Sequence, residues 1–216
     1  MGLDDCSRWR VANVTALFWD VGGVLLTNGW DRGSRRSAAQ KFALDWDEFE
    51  DRHELVVNAF ETGKAALQEY LQRTVFYRPR AFSPADFQAF MFSESQPLGE
   101  TIALLGRLAT GGRYLVATVN NESLELNEYR IRHYELRKYF SAFFSSCYLG
   151  VRKPDAAIYK LALSITQRAP AECVMIDDRP LNLECAKELG ISTIAFTNTK
   201  QLEEDLARRG VAPALG

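Results

Sequence analysis

The stretch from Thr15 to Trp30, TALFWDVGGVLLTNGW, starts as an apolar run and stops at a single acid, Asp20. A short apolar run that ends on a lone carboxylate is typical of a buried strand that carries one polar side chain to the edge of a sheet. Two residues after this acid stands Gly22, which has no side chain. The segment therefore predicts a first strand over 14–19 with a candidate functional residue at its carboxyl end.

Four further strand-like runs and the helical stretches between them continue this pattern. The runs lie at 113–119, 142–146, 173–177 and 192–196. Apolar residues recur at helical spacing over 98–109, 122–136, 154–167 and 180–190. Strands and helices that alternate at these lengths predict an α/β fold with a doubly wound parallel sheet. In such a sheet, ligands bind beyond the carboxyl ends of the strands.

The region 28–95 interrupts the alternation with helical patterns alone. Helices are predicted over 35–44, 47–61, 64–77 and 84–92, the last with Ser83 as its N-cap and Pro84 at its first position. We therefore expect a core domain formed by 1–27 and 96–216 and a helical cap formed by 28–95. Because the cap follows the first strand, we expect it to cover the carboxyl edge of the sheet like a lid.

Composition and charge exclude several classes of protein. The chain has 216 residues, 47% of them apolar, which is enough for a full core, and a formal net charge of -2, which argues against a nucleic-acid partner. No apolar run reaches the roughly 20 residues that cross a bilayer. The first ten residues, MGLDDCSRWR, resemble neither a signal peptide nor a myristoylation site. We expect a cytoplasmic protein with a small-molecule partner; the sequence carries no signal for its oligomeric state.

Zinc and disulfide chemistry are also disfavoured. The cysteines, Cys6, Cys147, Cys173 and Cys185, form no C-x-x-C pair. The segment HELVV at His53 lacks the second histidine of a zinc-protease helix, so we expect an exposed helix residue at this position.

Three charged features fall where the predicted strands end. Asp20 follows the first strand, Asp177 and Asp178 end the fourth, and Lys153 precedes a helix predicted to begin at Pro154. Taken singly, they could be a turn residue, helix caps and a solvated lysine. Brought to one edge of a sheet, three carboxylates would repel one another, and a hard cation such as Mg²⁺ would relieve that repulsion. A lysine beside them suits phosphoryl transfer, which makes Asp20 a candidate nucleophile.

These segments together resemble a haloacid-dehalogenase-superfamily hydrolase with a helical cap inserted after the first strand. The resemblance rests, in chain order, on LFWDVGGVL, LVATVNN, LGVRKPDAAIY and VMIDDRPLN. It covers nearly the whole predicted core, whereas the cap matches only in its helical character. The resemblance implies a Mg²⁺-dependent hydrolase that works through an aspartyl-phosphate intermediate.

The family's residue roles can be carried over position by position. The resemblance implies that Asp20 is both nucleophile and metal ligand, and that the backbone carbonyl of Gly22 is a second ligand. Asp178 corresponds to the direct carboxylate ligand, and Asp177 beside it would bind the metal directly or through water. Lys153 would hold Asp20 and the phosphoryl oxygens in place.

Gly22 departs from the family pattern, which has a second aspartate at this position. That acid protonates the leaving oxygen and then activates the hydrolytic water, and losing such a group costs about 10²- to 10⁴-fold in rate. Substrates whose leaving group needs little protonation would suffer least. Asp31, or another acid from the cap, could take its place.

The register of LVATVNN leaves two alternatives open. If Asn120 corresponds to the family's asparagine, Val119 stands where a phosphate-binding hydroxyl belongs. If Thr118 supplies that hydroxyl, Asn120 is displaced by one residue. Both Thr118 and Asn120 are therefore candidate catalytic residues.

The sequence leaves three functions to compare. The leading one is a Mg²⁺-dependent phosphohydrolase of a small organic phosphate. The second is a 2-haloacid dehalogenase in which Asp20 attacks a carbon–halogen bond without a metal; the pair Asp177 and Asp178 argues against it, because that chemistry gives paired acids no role. The third is a non-catalytic protein that binds a ligand or partner, an alternative that Gly22 keeps open.

Overall fold

The computed structural model of the protein describes residues 13–213, in which five strands form one parallel sheet. The strands are β1 (Ala16–Trp19), β2 (Leu115–Asn120), β3 (Ala142–Ser145), β4 (Cys173–Asp177) and β5 (Ser192–Ala195). Their order in the sheet is β3-β2-β1-β4-β5, and every neighbouring pair is parallel. The chain thus builds outward from β1 on one side and then on the other, which confirms the predicted doubly wound α/β fold.

The described residues also form ten α-helices, and those that follow residue 98 cover both faces of this sheet. In chain order they are α1 (Arg32–Lys41), α2 (Trp46–Glu61), α3 (Leu67–Thr74), α4 (Pro84–Ser93), α5 (Gly99–Thr110), α6 (Leu124–His133), α7 (Ser146–Leu149), α8 (Ala156–Thr166), α9 (Pro180–Glu188) and α10 (Thr199–Arg208). All four side chains of β1 are buried, with Leu17 and Trp19 in the apolar cluster on one face and Ala16 and Phe18 in that on the other. Burial on both faces explains why β1 is a continuous apolar run.

Two helix starts differ from the sequence prediction because aspartates cap them. The prediction that the helix after Lys153 begins at Pro154 is wrong: α8 begins at Ala156, since the Asp155 side chain accepts a hydrogen bond from the backbone N of Ala157. In the same way Asp31 caps α1, which begins one turn earlier than predicted. No helix in the described part of the chain combines the length and the apolar character that crossing a membrane requires. Cys6 and the rest of the first ten residues lie outside the described residues.

Helices α1 to α4, between β1 and α5, pack around an apolar cluster of their own that includes Trp30, Phe49 and Phe87. His53 belongs to the buried face of α2, in helical spacing with Phe49, and is only 4% exposed. The expectation that His53 is exposed is therefore wrong, because the missing zinc motif did not reveal which face of the helix it occupies. The division into core and cap at 28 and 95 remains a prediction.

Candidate active site

The carboxyl ends of β1 and β4 bring three carboxylates together. The backbone N of Asp20 donates a hydrogen bond to the carbonyl of Ile176, so Asp20 lies beside the end of β4. Asp177 is the last residue of β4, and Asp178 follows it. One oxygen from each of these three aspartates lies within 4.8 Å of the others. The strand ends thus form an acidic cluster at the predicted position.

Lys153 is buried between two of these aspartates. Its Nζ lies 2.5 Å from Asp177 Oδ2 and 3.1 Å from Asp20 Oδ1. Its backbone is fixed from the loop after β2: the Asn121 side chain accepts from Lys153 N at 2.8 Å and donates to Lys153 O at 2.9 Å. The loop after β2 therefore sets where the ammonium group lies.

The charges at this cluster do not balance. Burial raises the pKa of Asp20 to about 7, and although the Lys153 charge opposes this, Asp177 and Asp178 add to it. Burial acts to lower the pKa of Lys153, but Asp20 and Asp177 outweigh it, so this pKa is raised and the lysine stays charged. One ammonium group among three carboxylates leaves an excess of negative charge, which a bound cation would neutralise.

Asp177 and Asp178 have different environments. Both Asp177 oxygens are occupied by donors, namely Lys153 Nζ, the Asn182 side chain and the backbone N of Arg179. Asp178 Oδ1 is buried and has no hydrogen-bond partner within 13–213. A buried carboxylate oxygen without a donor calls for another partner, and a cation supplies one. Asp178 is therefore the more available metal ligand, and Asp177 anchors Lys153.

The two glycines after Asp20 have different surroundings. Gly23 has φ +76, and a Cβ there would lie 2.3 Å from Asp178 Oδ2, so only glycine fits. A Cβ on Gly22 would lie 3.3 Å from Asn28 Oδ1 and 3.6 Å from Arg130 Nη1. The direction in which an acid at position 22 would point is therefore occupied by an amide and a guanidinium group.

A cavity of about 340 Å³, a volume suited to a small organic ligand, opens at Asp20, the aspartate of the acidic cluster that lines it. Asp20, Gly22 and Lys153 line it from the sheet edge. Its other polar or charged lining residues are Asn28, Asp31, Glu61, Asn121, Glu122, Arg130, Arg152, Arg179 and Asn182, with Trp30 among the apolar ones. The cavity thus combines the sheet edge with residues from the helical region between β1 and α5.

Thr118 and Asn120, the two candidates from LVATVNN, do not line this cavity. Thr118 is fully buried in β2, and Asn120 hydrogen-bonds to Asn127 and Ser145 on α6 and β3. The side chain that reaches the site is the next one, Asn121, which the sequence reasoning missed. The sequence signal for Asn121 is its position one residue beyond the end of β2, where the backbone leaves the sheet.

Comparison with known proteins agrees with this geometry. A family model described as haloacid dehalogenase-like hydrolase matches residues 14–201. The chain belongs to this family of hydrolases. This haloacid dehalogenase-like hydrolase is 32% identical over 163 residues to flavin mononucleotide hydrolase 1 of Arabidopsis thaliana. The aligned region covers 75% of this chain and 65% of that protein. The chain thus spans just under two thirds of that relative's length.

Solved structures share the fold at lower identity. The HAD family enzyme BT-2542 of Bacteroides thetaiotaomicron, in complex with magnesium and inorganic phosphate, is 22% identical with a TM-score of 0.71, over 86% of this chain and 95% of that one. The L-2-haloacid dehalogenase PA0810 is 21% identical with a TM-score of 0.58, over 84% and 83% of the two chains. These likenesses establish the α/β fold of this haloacid dehalogenase-like hydrolase.

Proposed function

We propose that this hydrolase is a Mg²⁺-dependent phosphatase of small organic phosphates, with Asp20 as the nucleophile. The observation that carries the proposal is the pairing of Asp20 with the buried Lys153, beside a buried oxygen of Asp178 that has no hydrogen-bond partner among the described residues. A nucleophilic carboxylate, a fixed cation and a vacant oxygen ligand are the groups that phosphoryl transfer requires. We also propose a cytoplasmic location.

The residues at the cluster fit a divalent cation. Asp20, Asp178 and the Gly22 carbonyl would hold it, with Asp177 next to them. Bound there, Mg²⁺ would neutralise the charge that the carboxylates and a phosphoryl group bring together. The supporting observations are the convergence of three carboxylate oxygens within 4.8 Å and the buried oxygen of Asp178 that lacks a donor in the described part of the chain.

The reaction that we propose has two steps. Asp20 attacks phosphorus, the bond to the leaving oxygen breaks, and an aspartyl-phosphate forms. Water then attacks this phosphoryl group and returns Asp20 as a carboxylate. Lys153, fixed by Asn121, keeps the carboxylate oriented and stabilises the phosphoryl oxygens.

Flavin mononucleotide is the first physiological substrate to assay. The plant relative is named as its hydrolase, and the site of this chain opens into a cavity of small-molecule size. Aryl phosphates supply a general assay, because their leaving group needs little protonation and so depends least on the acid missing at position 22.

Dehalogenation is the second candidate, since a dehalogenase shares the fold. It would use Asp20 to attack carbon without a metal. The buried oxygen of Asp178, which lacks a hydrogen-bond partner within 13–213, favours the phosphatase, because dehalogenation gives that oxygen no role.

Hydrolysis of p-nitrophenyl phosphate with and without Mg²⁺ tests the proposal. We expect Mg²⁺-dependent turnover that Asp20→Asn abolishes. The matched control is Asp45→Asn, which changes an exposed helix cap to another good cap and should leave turnover intact. Turnover unaffected by Asp20→Asn would contradict the proposal. Halide release from 2-haloacids without metal would establish the dehalogenase, and no turnover of either class would favour the non-catalytic alternative.

A further inference from the structure

If this chain is the proposed phosphatase, the proton for the leaving group needs a source other than position 22. The cavity is lined by three carboxylates besides that of Asp20, those of Asp31, Glu61 and Glu122. Their surroundings differ enough to distinguish them.

Glu122 is committed to an ion pair. Its Oε2 lies 2.7 Å from Arg130 Nη1, and its Oε1 accepts from the backbone N of Ser123 at 2.9 Å. Both partners of the pair are buried. Burial raises the pKa of Glu122 although Arg130 opposes this, so it is the hydrogen bonding that sets Glu122 apart: both of its oxygens are already engaged, one by a guanidinium group and one by a backbone donor.

Asp31 serves the start of a helix. Its Oδ1 accepts from the backbone N of Ser34 at 2.9 Å and caps α1. Asp31 is thus engaged in a structural role as a helix cap.

Glu61, at the end of α2, has a carboxylate oxygen that accepts no hydrogen bond within the described part of the chain. Its Oε2 is buried, and Arg152 Nη2, although 3.0 Å away, is not aligned to donate a hydrogen bond to it. Burial raises the pKa of Glu61, with Arg152 opposing and Glu122 adding to the effect. A carboxyl group that can be neutral is a proton donor.

The end of α2 is fixed against the core, so Glu61 has a defined position. Ser146 Oγ donates to the Glu61 carbonyl at 2.6 Å and accepts from Glu122 N at 3.0 Å. Gly63 has φ +70, and a Cβ there would lie 2.2 Å from the Cys147 carbonyl oxygen, which shows how closely the chain passes the core. These contacts hold Glu61 at the wall of the cavity.

We propose that Glu61 is the general acid and base that replaces the acid absent at position 22. In the first step the Glu61 carboxyl gives its proton to the leaving oxygen as that oxygen's bond to phosphorus breaks, and the alcohol departs. In the second step the Glu61 carboxylate takes a proton from the water that attacks the aspartyl-phosphate. Inorganic phosphate and the Asp20 carboxylate result, and Glu61 regains its proton.

The dependence of rate on the leaving group tests this role. An alkyl phosphate needs its leaving oxygen protonated, whereas 2,4-dinitrophenyl phosphate does not. We expect Glu61→Gln to lower kcat/KM for the alkyl phosphate by about 10²-fold or more while changing kcat/KM for the dinitrophenyl ester only severalfold. Because the second step would still lack its base, the variant should release dinitrophenol in a burst followed by slow steady turnover.

Asp31→Asn is the matched control, because asparagine caps a helix as well as aspartate does. It should leave the ratio of the two kcat/KM values within about twofold of the wild-type ratio, since it keeps the helix cap and leaves Glu61 in place. The dinitrophenyl ester also reports folding, because a variant that still reacts with it has an intact nucleophile. Equal losses on both esters in Glu61→Gln, or a leaving-group effect in Asp31→Asn instead, would overturn the role of Glu61. If the wild-type protein hydrolyses neither ester, it is the proposed function that fails.

Discussion

Gly22 and Gly23 are adjacent, yet the structure makes different demands on them. Gly23 lies in the left-handed region, with Asp178 where a side chain would go. At Gly22 the tightest contact of a Cβ would be with the flexible Asn28 side chain at 3.3 Å, and Arg130 Nη1 at 3.6 Å would be an ordinary contact. The loop conformation therefore requires glycine at position 23. At position 22 the backbone would accept another residue, so only the side chain is missing.

Replacing each glycine by alanine tests this difference. Gly23→Ala should push Asp178 away from the acidic cluster and lower kcat/KM for an aryl phosphate by about 10²-fold, the cost of misplacing a catalytic group by roughly 1 Å. Gly22→Ala should cost less than about tenfold on the same scale, because Asn28 can move aside. Steady-state kinetics measures kcat/KM for both variants. Equal losses of kcat/KM would show that the loop does not require glycine more strictly at position 23 than at position 22.

At the scale of single residues, the sequence predicts which side chains follow the strands but not all of their partners. Asp20, Lys153, Asp177 and Asp178 could be placed because parallel strands end at one edge. Asn121 and Glu61 could not, because their contributions depend on how one loop leaves the sheet and on where α2 ends against the core. Those positions follow from packing between segments far apart in the chain.

Among the elements, a buried chain of hydrogen bonds links α2 to α3 and to Trp30, which lines the cavity. Trp30 Nε1 donates to the Tyr70 hydroxyl at 2.8 Å, and that hydroxyl lies 2.8 Å from His53 Nδ1. With the tyrosine donating to it, His53 is neutral. Burial lowers the pKa of His53 to about 3, and the nearby Arg35 adds to this.

This chain of hydrogen bonds predicts a pH-dependent stability. As pH falls below 6.5, the unfolded chain binds a proton at His53 that the folded chain excludes until about pH 3. As far as His53 determines it, the free energy of unfolding should therefore be highest above pH 6.5 and fall between pH 6.5 and 3. At pH 5, proton binding by His53 in the unfolded chain should have lowered it by roughly 2 kcal/mol.

His53→Asn isolates that contribution, because its amide oxygen can accept the Tyr70 hydrogen bond without titrating. Urea unfolding at pH 8 and pH 5 should show the wild type losing about 2 kcal/mol more than the variant. The same loss in both proteins would show that His53 is not the group responsible.

On the scale of the whole molecule, one arginine holds the base of the helical region. Arg130 on α6 donates to Ser95 Oγ at 2.9 Å and to the Thr27 carbonyl at 3.2 Å, and it pairs with the buried Glu122. Thr27 directly precedes the predicted cap and Ser95 is its last residue, and the two connecting segments pair beside them through Leu26 and Pro97. Arg130 therefore joins both connections to the core.

Arg130→Met should destabilise the protein by about 3–5 kcal/mol, since it leaves Glu122 buried without its partner. Arg132 supplies the control: it lies on the same helix in an exposed ion pair with Glu128, and Arg132→Met should cost no more than about 0.5 kcal/mol. Denaturant unfolding measures both. A loss below about 1 kcal/mol in Arg130→Met would mean that the buried pair does not hold this junction.

The overall fold could be read from the alternation of strands and helices because each local pattern agrees with the sheet that contains it. The predicted strand and helix positions between 98 and 196 recur in the structure with ends shifted by a few residues. Helix α7, within that range, and helix α10, beyond it, were not predicted. The junction around Arg130 could not be foreseen either, since it joins residues 27, 95 and 130 through tertiary contacts alone.

The proposed phosphatase reaction requires that Asp20 becomes phosphorylated during turnover. Mass spectrometry of the enzyme, acid-quenched while it hydrolyses an aryl phosphate with Mg²⁺, tests it directly. We predict that the peptide containing Asp20 gains the mass of one phosphoryl group, and that Asp20→Asn prevents this gain. An enzyme that turns over without phosphorylation of that peptide, or one in which Asp20→Asn leaves the phosphorylation unchanged, would contradict the account.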